Sequence, residues 1–148
     1  MKKMPADDAP LSREEFMELA LSRFGGVCCA CRQAPATEAH HIFDRKLFAD
    51  GGYALSNAAP VCNRCHWKAE TCAISVSEMA RMAKANPRVP QACRSFFPGL
   101  GDLGPEAFDK WGNMLRHDGS IAPGPLFSDD GCRKALASGG LLGLCYNA

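Results

Sequence analysis

The sequence's clearest chemistry lies in four cysteines set as two pairs, Cys28-x-x-Cys31 and Cys62-x-x-Cys65. A CxxC turn brings two thiolates within reach of one ion, and two such turns complete a tetrahedron around Zn²⁺ with Zn–S bonds of about 2.3 Å. No cysteine lies between residues 32 and 61, which leaves little choice of partners. Cys29 adjoins Cys28 and competes for the register, but Cys28 keeps the two-residue spacer and is preferred. A total of nine cysteines is odd, which suits a four-ligand site plus spare thiols better than a disulfide framework. Cys72, Cys93, Cys132 and Cys145 stand alone and read as buried thiols.

The second group is made of imidazoles. Glu38-Ala39-His40-His41-Ile42 lies between the cysteine pairs, and His66 follows the second pair directly; of the four histidines only His117 lies elsewhere, and it receives no role. Because four cysteines already satisfy a structural zinc, the three clustered histidines are free for another task. Plainer readings compete: His41 as a buried structural ring, His66 as a substitute zinc ligand, Asn57 as a turn residue or helix cap.

The order His40-His41-Ile42, Gly51-Gly52, Asn57, Cys62-x-x-Cys65-His66 resembles the zinc-stapled branch of the HNH endonuclease family over residues 27–72. The resemblance implies a ββα-metal (His-Me finger) core, a β-hairpin followed by a helix, with a four-cysteine zinc knuckle; the chain is expected to be a small α+β fold in which helices and an irregular C-terminal extension flank that core. It implies metal-dependent hydrolysis of phosphodiester bonds in nucleic acid, DNA in preference to RNA, leaving 5′-phosphate and 3′-hydroxyl ends. His41 would be the general base that activates water. An ordinary imidazole pKa of about 6.5 suits that task and predicts declining activity below about pH 6. His40 and His66 would ligate one catalytic divalent ion, and Asn57 would orient the loop that carries His41. His40 stands where many relatives carry aspartate; a softer ligand favours Mn²⁺, Ni²⁺, Co²⁺ or Zn²⁺ over Mg²⁺. Neighbouring strand residues point to opposite faces, so His40 and His41 share one site only if the strand ends or bulges there, with Ile42-Phe43 packing inward.

Several residues near the histidines could meet a polyanion: Arg45 and Lys46 after Asp44, and Arg64 and Lys68 beside His66. Trp67 reads as a core residue in preference to a base-stacking one. Glu70, four residues after His66, reads as a solvated glutamate in preference to a ligand. Arg81, Lys84 and Arg88 form a basic stripe or simply a solvated face. The rival function is a zinc-knuckle module that docks on nucleic acid or protein without cutting and has no use for His41.

The elements that must position these groups are legible in places. Ser12 with Glu15, and Ser75 with Glu78, have capping-box spacing, with Leu11/Phe16 and Ile74/Met79 at staple positions. They predict helices that end at Gly25-Gly26 and before Pro87. A helix is expected from Asn63 to Cys72, another over Pro105 to Leu115, and a turn of helix around Arg133 to Ala137. Residues 1–10 read as a flexible arm, 11–88 as the nuclease domain with its N-terminal helix, and 89–148 as an extension without assigned role. Across 148 residues, 47% hydrophobic and 22% charged content permits a packed core. No run nears the ~20 apolar residues of a membrane span, and Met1 to Pro5 lacks a secretory signature, so a soluble cytoplasmic protein is expected. A net charge of +1 neither demands nor excludes a nucleic-acid partner, and nothing fixes an oligomeric state.

Overall fold

The computed structural model describes residues 5–99 and 102–146. Ser12 Oγ accepts from the Glu15 amide at 3.1 Å, and Glu15 accepts from the Ser12 amide at 3.0 Å. These reciprocal caps start helix α1, Arg13–Leu21, whose buried Phe16, Leu19 and Ala20 pack against Leu55 and Ala58. Strand β1, Glu38–His41, pairs antiparallel with β2, Ala58–Val61, in a register that sets Glu38 opposite Val61 and His41 opposite Ala58. Helix α2, Asn63–Glu70, follows at once with Cys62 as its N-cap residue. Strand, strand and helix thus succeed one another around a core that includes Ile42, Phe43, Val61 and Met79. Ile42 and Phe43 point inward, as expected of residues beyond the strand's end.

The Ser75–Glu78 box starts α3, Val76–Ala83, which closes at Lys84 in the left-handed conformation, before Asn86-Pro87 is reached. A short α4, Gln91–Phe96, follows Pro90. Next comes a hairpin of β3, Met114–Leu115, and β4, Ile121–Ala122, then α5, Asp130–Ser138, and α6, Leu142–Tyr146. The described residues therefore form a small α+β fold of six helices and two two-stranded sheets. None of the described helices is long and apolar enough to cross a membrane.

One expectation fails here. The helix anticipated over Pro105 to Leu115 shrinks to a single 3₁₀ turn, Pro105–Ala107. Beyond it Asp109 folds the chain back on itself: its carboxylate accepts from the amides of Trp111 at 2.9 Å and Asn113 at 3.0 Å. Gly112 at φ +83° completes a turn that no helix accommodates. The N-terminal arm lies partly outside the described residues, as do residues 100–101 and 147–148 of the extension. The arm's described part is held: the Asp7 carbonyl accepts from the Ser56 amide at 2.8 Å, and Asp8 pairs with Arg88 at 2.6 Å.

Candidate metal centres and the adjoining cleft

The turn after Val27 delivers Cys28 and Cys31, and the first turn of α2 delivers Cys62 and Cys65. One sulfur from each residue lies within 4.8 Å of the other three. The Cys31 and Cys62 sulfurs are 4.0 Å apart, close to the ~3.8 Å edge of a tetrahedron with 2.3 Å Zn–S bonds. Backbone amides of Ala34 and Gln33 draw the Cys31 thiol down to about 6, so it is a ready thiolate at neutral pH. Burial and the neighbouring sulfurs push Cys65 up to about 12, and a metal ion is what would draw off that proton. Cys29 takes no part in the cluster. Its sulfur faces the Met79 sulfur at 4.0 Å, and burial and Cys28 lift it to about 11. These four close cysteines are suited to a structural metal ion such as zinc.

On the other side of α2 a second group forms. Glu38 and His40 alternate with Ala39 along β1, while His66 and Glu70 stand one turn apart on α2, so each pair shares a face. His40, His66 and Glu70 bring one ligand atom each within 4.8 Å of the others. Glu70 Oε1 lies 2.9 Å from His66 Nε2 and 3.9 Å from His40 Nδ1. Both spans fall within the ~4 Å that one ion with bonds near 2.1 Å bridges. His66 Nδ1 meets the Glu38 carboxylate, which turns Nε2 toward Glu70. His40 is 2% exposed, and its Nδ1 has no hydrogen-bond partner among the described residues. An orphaned buried nitrogen is costly, and burial holds His40 far below the usual imidazole range. A divalent cation between these three groups would satisfy that nitrogen, so the donor set fits one.

His41 ends β1 and faces the opposite way. Its ring stacks on Phe16 of α1, with centroids 4.6 Å apart, and meets the edge of Tyr53 at 5.0 Å. It nonetheless lines the same cleft of about 270 Å³ as His66 and Glu70, together with Arg13, Arg45 and Asp44. Its Nε2 is buried and has no hydrogen-bond partner among the described residues. Burial, with Lys110 nearby, lowers its pKa to about 4, so the ring is neutral at physiological pH. The expected value near 6.5 is thereby corrected, because the apolar wall of Phe16 and Tyr53 disfavours the imidazolium.

Asn57 is 4% exposed and spans the loop that leaves His41. Its Oδ1 accepts from the Phe43 amide at 2.8 Å, and its Nδ2 donates to the carbonyls of Phe43 at 3.0 Å and Gly52 at 3.3 Å. Gly52 sits at φ +69°, and a Cβ there would meet Phe48 at 2.6 Å, so glycine is required.

No family model, curated protein or solved structure matches the chain.

Of the residues named for nucleic acid, only Arg45 lines the cleft. Lys46 is tied to Asp129 at 2.7 Å, and Arg64 and Lys68 are exposed on α2. Trp67 is not a core residue: it is 61% exposed, because its neighbours Cys65 and Ala69 take the inward positions of α2. Glu70 is not a solvated glutamate either. Burial would raise its pKa, but the His66 hydrogen bond and Lys110 hold it near 2. His117 is exposed and apart from both centres.

Two groups at this site had no role in the sequence reading. Glu38 shares β1 parity with His40, a signal that strand alternation could have supplied. Lys110, 5% exposed, places Nζ 2.8 Å from Glu70 Oε2 and 3.2 Å from Asp44 Oδ1. It comes from the segment without assigned function, and no sequence signal marks it.

Proposed function

We propose that this chain is a metal-dependent nuclease of the HNH type, with a ββα-metal core stapled by a structural zinc at Cys28, Cys31, Cys62 and Cys65. The observation that carries the proposal is the convergence of His40, His66 and Glu70 beside a cleft that also holds a neutral histidine with an unpartnered nitrogen. His40, His66 and Glu70 would hold the catalytic ion. When bound, that ion acts as a Lewis acid toward a phosphate oxygen and the departing 3′ oxygen. Two imidazoles and one carboxylate suit Mn²⁺, Ni²⁺, Co²⁺ or Zn²⁺ better than Mg²⁺.

The chain's own residues divide the remaining work. His41 takes the proton from the attacking water; the stack on Phe16 and the edge of Tyr53 fix its plane. Asn57 ties the loop after His41 to β2 and so holds the base at a set height over the cleft. Glu38 keeps His66 in the tautomer whose Nε2 faces the ion. Arg13 and Arg45 at the cleft supply positive charge for a phosphodiester substrate, DNA in preference to RNA.

The test incubates purified protein with plasmid, single-stranded DNA and RNA under Mg²⁺, Mn²⁺ and Ni²⁺, beside a His41→Ala control. Cleavage by the parent and its loss in the control by several orders of magnitude is the expected result. Nucleic-acid binding without cleavage, unchanged in the control, would establish the non-catalytic docking module instead.

A further inference from the structure

Lys110 occupies a position that calls for a physical reason. A buried ammonium is costly unless carboxylates and dipoles surround it, and one placed beside a divalent-cation site also repels the ion. Here the chain invests heavily in holding it. Asp109 and Asn113 close the turn around it: the Asn113 amide group donates to Asp109 Oδ2 at 3.0 Å, and Asn113 Oδ1 accepts from the Gly124 amide at 2.7 Å. Gly124 packs so closely that a Cβ would meet the Gly112 carbonyl at 2.2 Å. The turn grips both walls of the cleft. On the β1 side the Lys110 carbonyl accepts from the Asp44 amide at 2.9 Å. On the α2 side the Trp111 indole donates to the Glu70 carbonyl at 3.0 Å. The Lys110 ammonium also sits over the Trp111 ring, 4.2 Å from its centroid.

Resting on the metal reading above, we propose that Lys110 is a positioning residue. It takes one oxygen of Glu70, Oε2, and so commits the other, Oε1, to the ion shared with His40 and His66. The distances divide the carboxylate in this way: Oε2 lies 2.8 Å from Lys110 Nζ, while Oε1 lies 2.9 Å from His66 Nε2 and 3.9 Å from His40 Nδ1. Without Lys110, Oε2 of Glu70 loses its partner, and the carboxylate at the last turn of α2 is held through Oε1 and His66 alone. The segment after residue 104 therefore completes the site and is no accessory surface.

The sign of the effect separates positioning from charge. A Lys110 that acted by charge alone would repel the ion, and its removal would tighten binding. A Lys110 that positions a ligand weakens binding when removed, by about 10- to 100-fold for a partner of a ligating group.

The experiment titrates Co²⁺ into the full chain already loaded with zinc at its four cysteines, following visible absorption and calorimetric affinity. Wild type takes up a Co²⁺ without thiolate charge-transfer bands. Lys110→Met weakens that uptake at least tenfold and changes the band shape, while Lys110→Arg keeps most of both. If Lys110→Met does not fold, Lys110→Met/Asp44→Asn removes the negative charge at Asp44 that Lys110 balances and is read the same way. Unchanged or tighter Co²⁺ binding in the methionine variant, with the wild-type spectrum, overturns the role of Lys110 and leaves the metal centre standing. A zinc-loaded wild type that takes up no Co²⁺ overturns the metal centre itself.

Discussion

Replacing Asn57 with alanine should be among the most damaging single changes outside the metal ligands, and its cost follows from the bonds it breaks. The side chain satisfies three backbone groups, the Phe43 amide and the carbonyls of Phe43 and Gly52, in a site 4% exposed. Each buried group left without a partner costs about 1–3 kcal/mol. The Gly52 carbonyl keeps the Ala54 amide at 3.0 Å, so only the two Phe43 groups are orphaned, and a water entering the vacated space recovers part of that loss; the expected destabilisation is about 3 kcal/mol. Against a total stability of about 5–15 kcal/mol that is a large fraction. With a urea slope of about 2 kcal/mol per molar, the midpoint should fall by about 1.5 M in zinc-containing buffer. Asn57→Asp should do no better, since a carboxylate accepts from the Phe43 amide but repels both carbonyls. Zinc content should stay at the wild-type level, because the four cysteines lie at the far end of the hairpin. A destabilisation below about 1 kcal/mol would show that the loop from Phe43 to Gly52 is held by something other than this side chain.

Cys62→Ser, or a strong chelator applied to the parent, should abolish cooperative unfolding of the hairpin–helix unit, since the binding energy of a structural metal is largely folding energy. A native circular-dichroism melt in the chelated protein would refute it. His41→Gln should flatten the acid sensitivity of the fold. The buried ring has a pKa lowered to about 4 from an unfolded value near 6.5, so the unfolded chain binds the proton first, and His41's contribution is complete above 6.5 and drains as pH falls toward 4. Urea midpoints at about pH 7.5 and about pH 5.5 should therefore diverge less in the variant than in the parent; equal divergence would sink the assignment. For the same reason cleavage should persist through pH 6, and a half-loss at about 6.5 would mean that His41 is not the titrating base. Trp111→Phe, which removes the indole bond to the Glu70 carbonyl, should cost about 1 kcal/mol in a melt while leaving zinc content unchanged.

Local rules written in short sequence stretches were the legible ones. The boxes at Ser12–Glu15 and Ser75–Glu78 start α1 and α3 because a cap needs only four residues to specify it. The cysteine pairs were legible for the same reason, and even the choice of Cys28 over Cys29 followed from the spacer. What stayed hidden depends on distant chain segments. Trp67 looked like core by residue type, yet which face of α2 turns inward is decided by Cys65 and Ala69 against β2 and α3. Lys110 lies 40 residues from Glu70, and nothing near it in sequence signals a partner. The stretch from Pro105 to Leu115 had a helical start at Pro105, but the Asp109 carboxylate offers the Trp111 and Asn113 amides a competing partner. A single side chain that captures two amides two and four residues ahead outbids a helix of weak propensity.

The alternation of β1 settles a tension that the adjacent histidines raise. A strand cannot aim His40 and His41 at one point, and here it does not: His40 turns toward α2 with Glu38, and His41 turns toward α1 and stacks on Phe16. The separation gives the two rings environments suited to different tasks. His40, almost fully buried among Glu70, His66 and Lys110, has a nitrogen that nothing among the described residues satisfies and that a cation would. His41, at the strand's last position, reaches the cleft from the apolar side, where burial and Lys110 outweigh the nearby Asp44 and Glu70 carboxylates and keep it neutral. A base that also ligated the ion would lose the lone pair it needs. On the proposed function, a base one residue further along the strand, on the opposite face, would keep its lone pair off the ion while sharing the cleft with His66 and Glu70. On the same proposal, helix α1, outside the span of the HNH resemblance, would belong to the working unit: without Phe16 the His41 ring loses the face it stacks on and keeps only the edge of Tyr53.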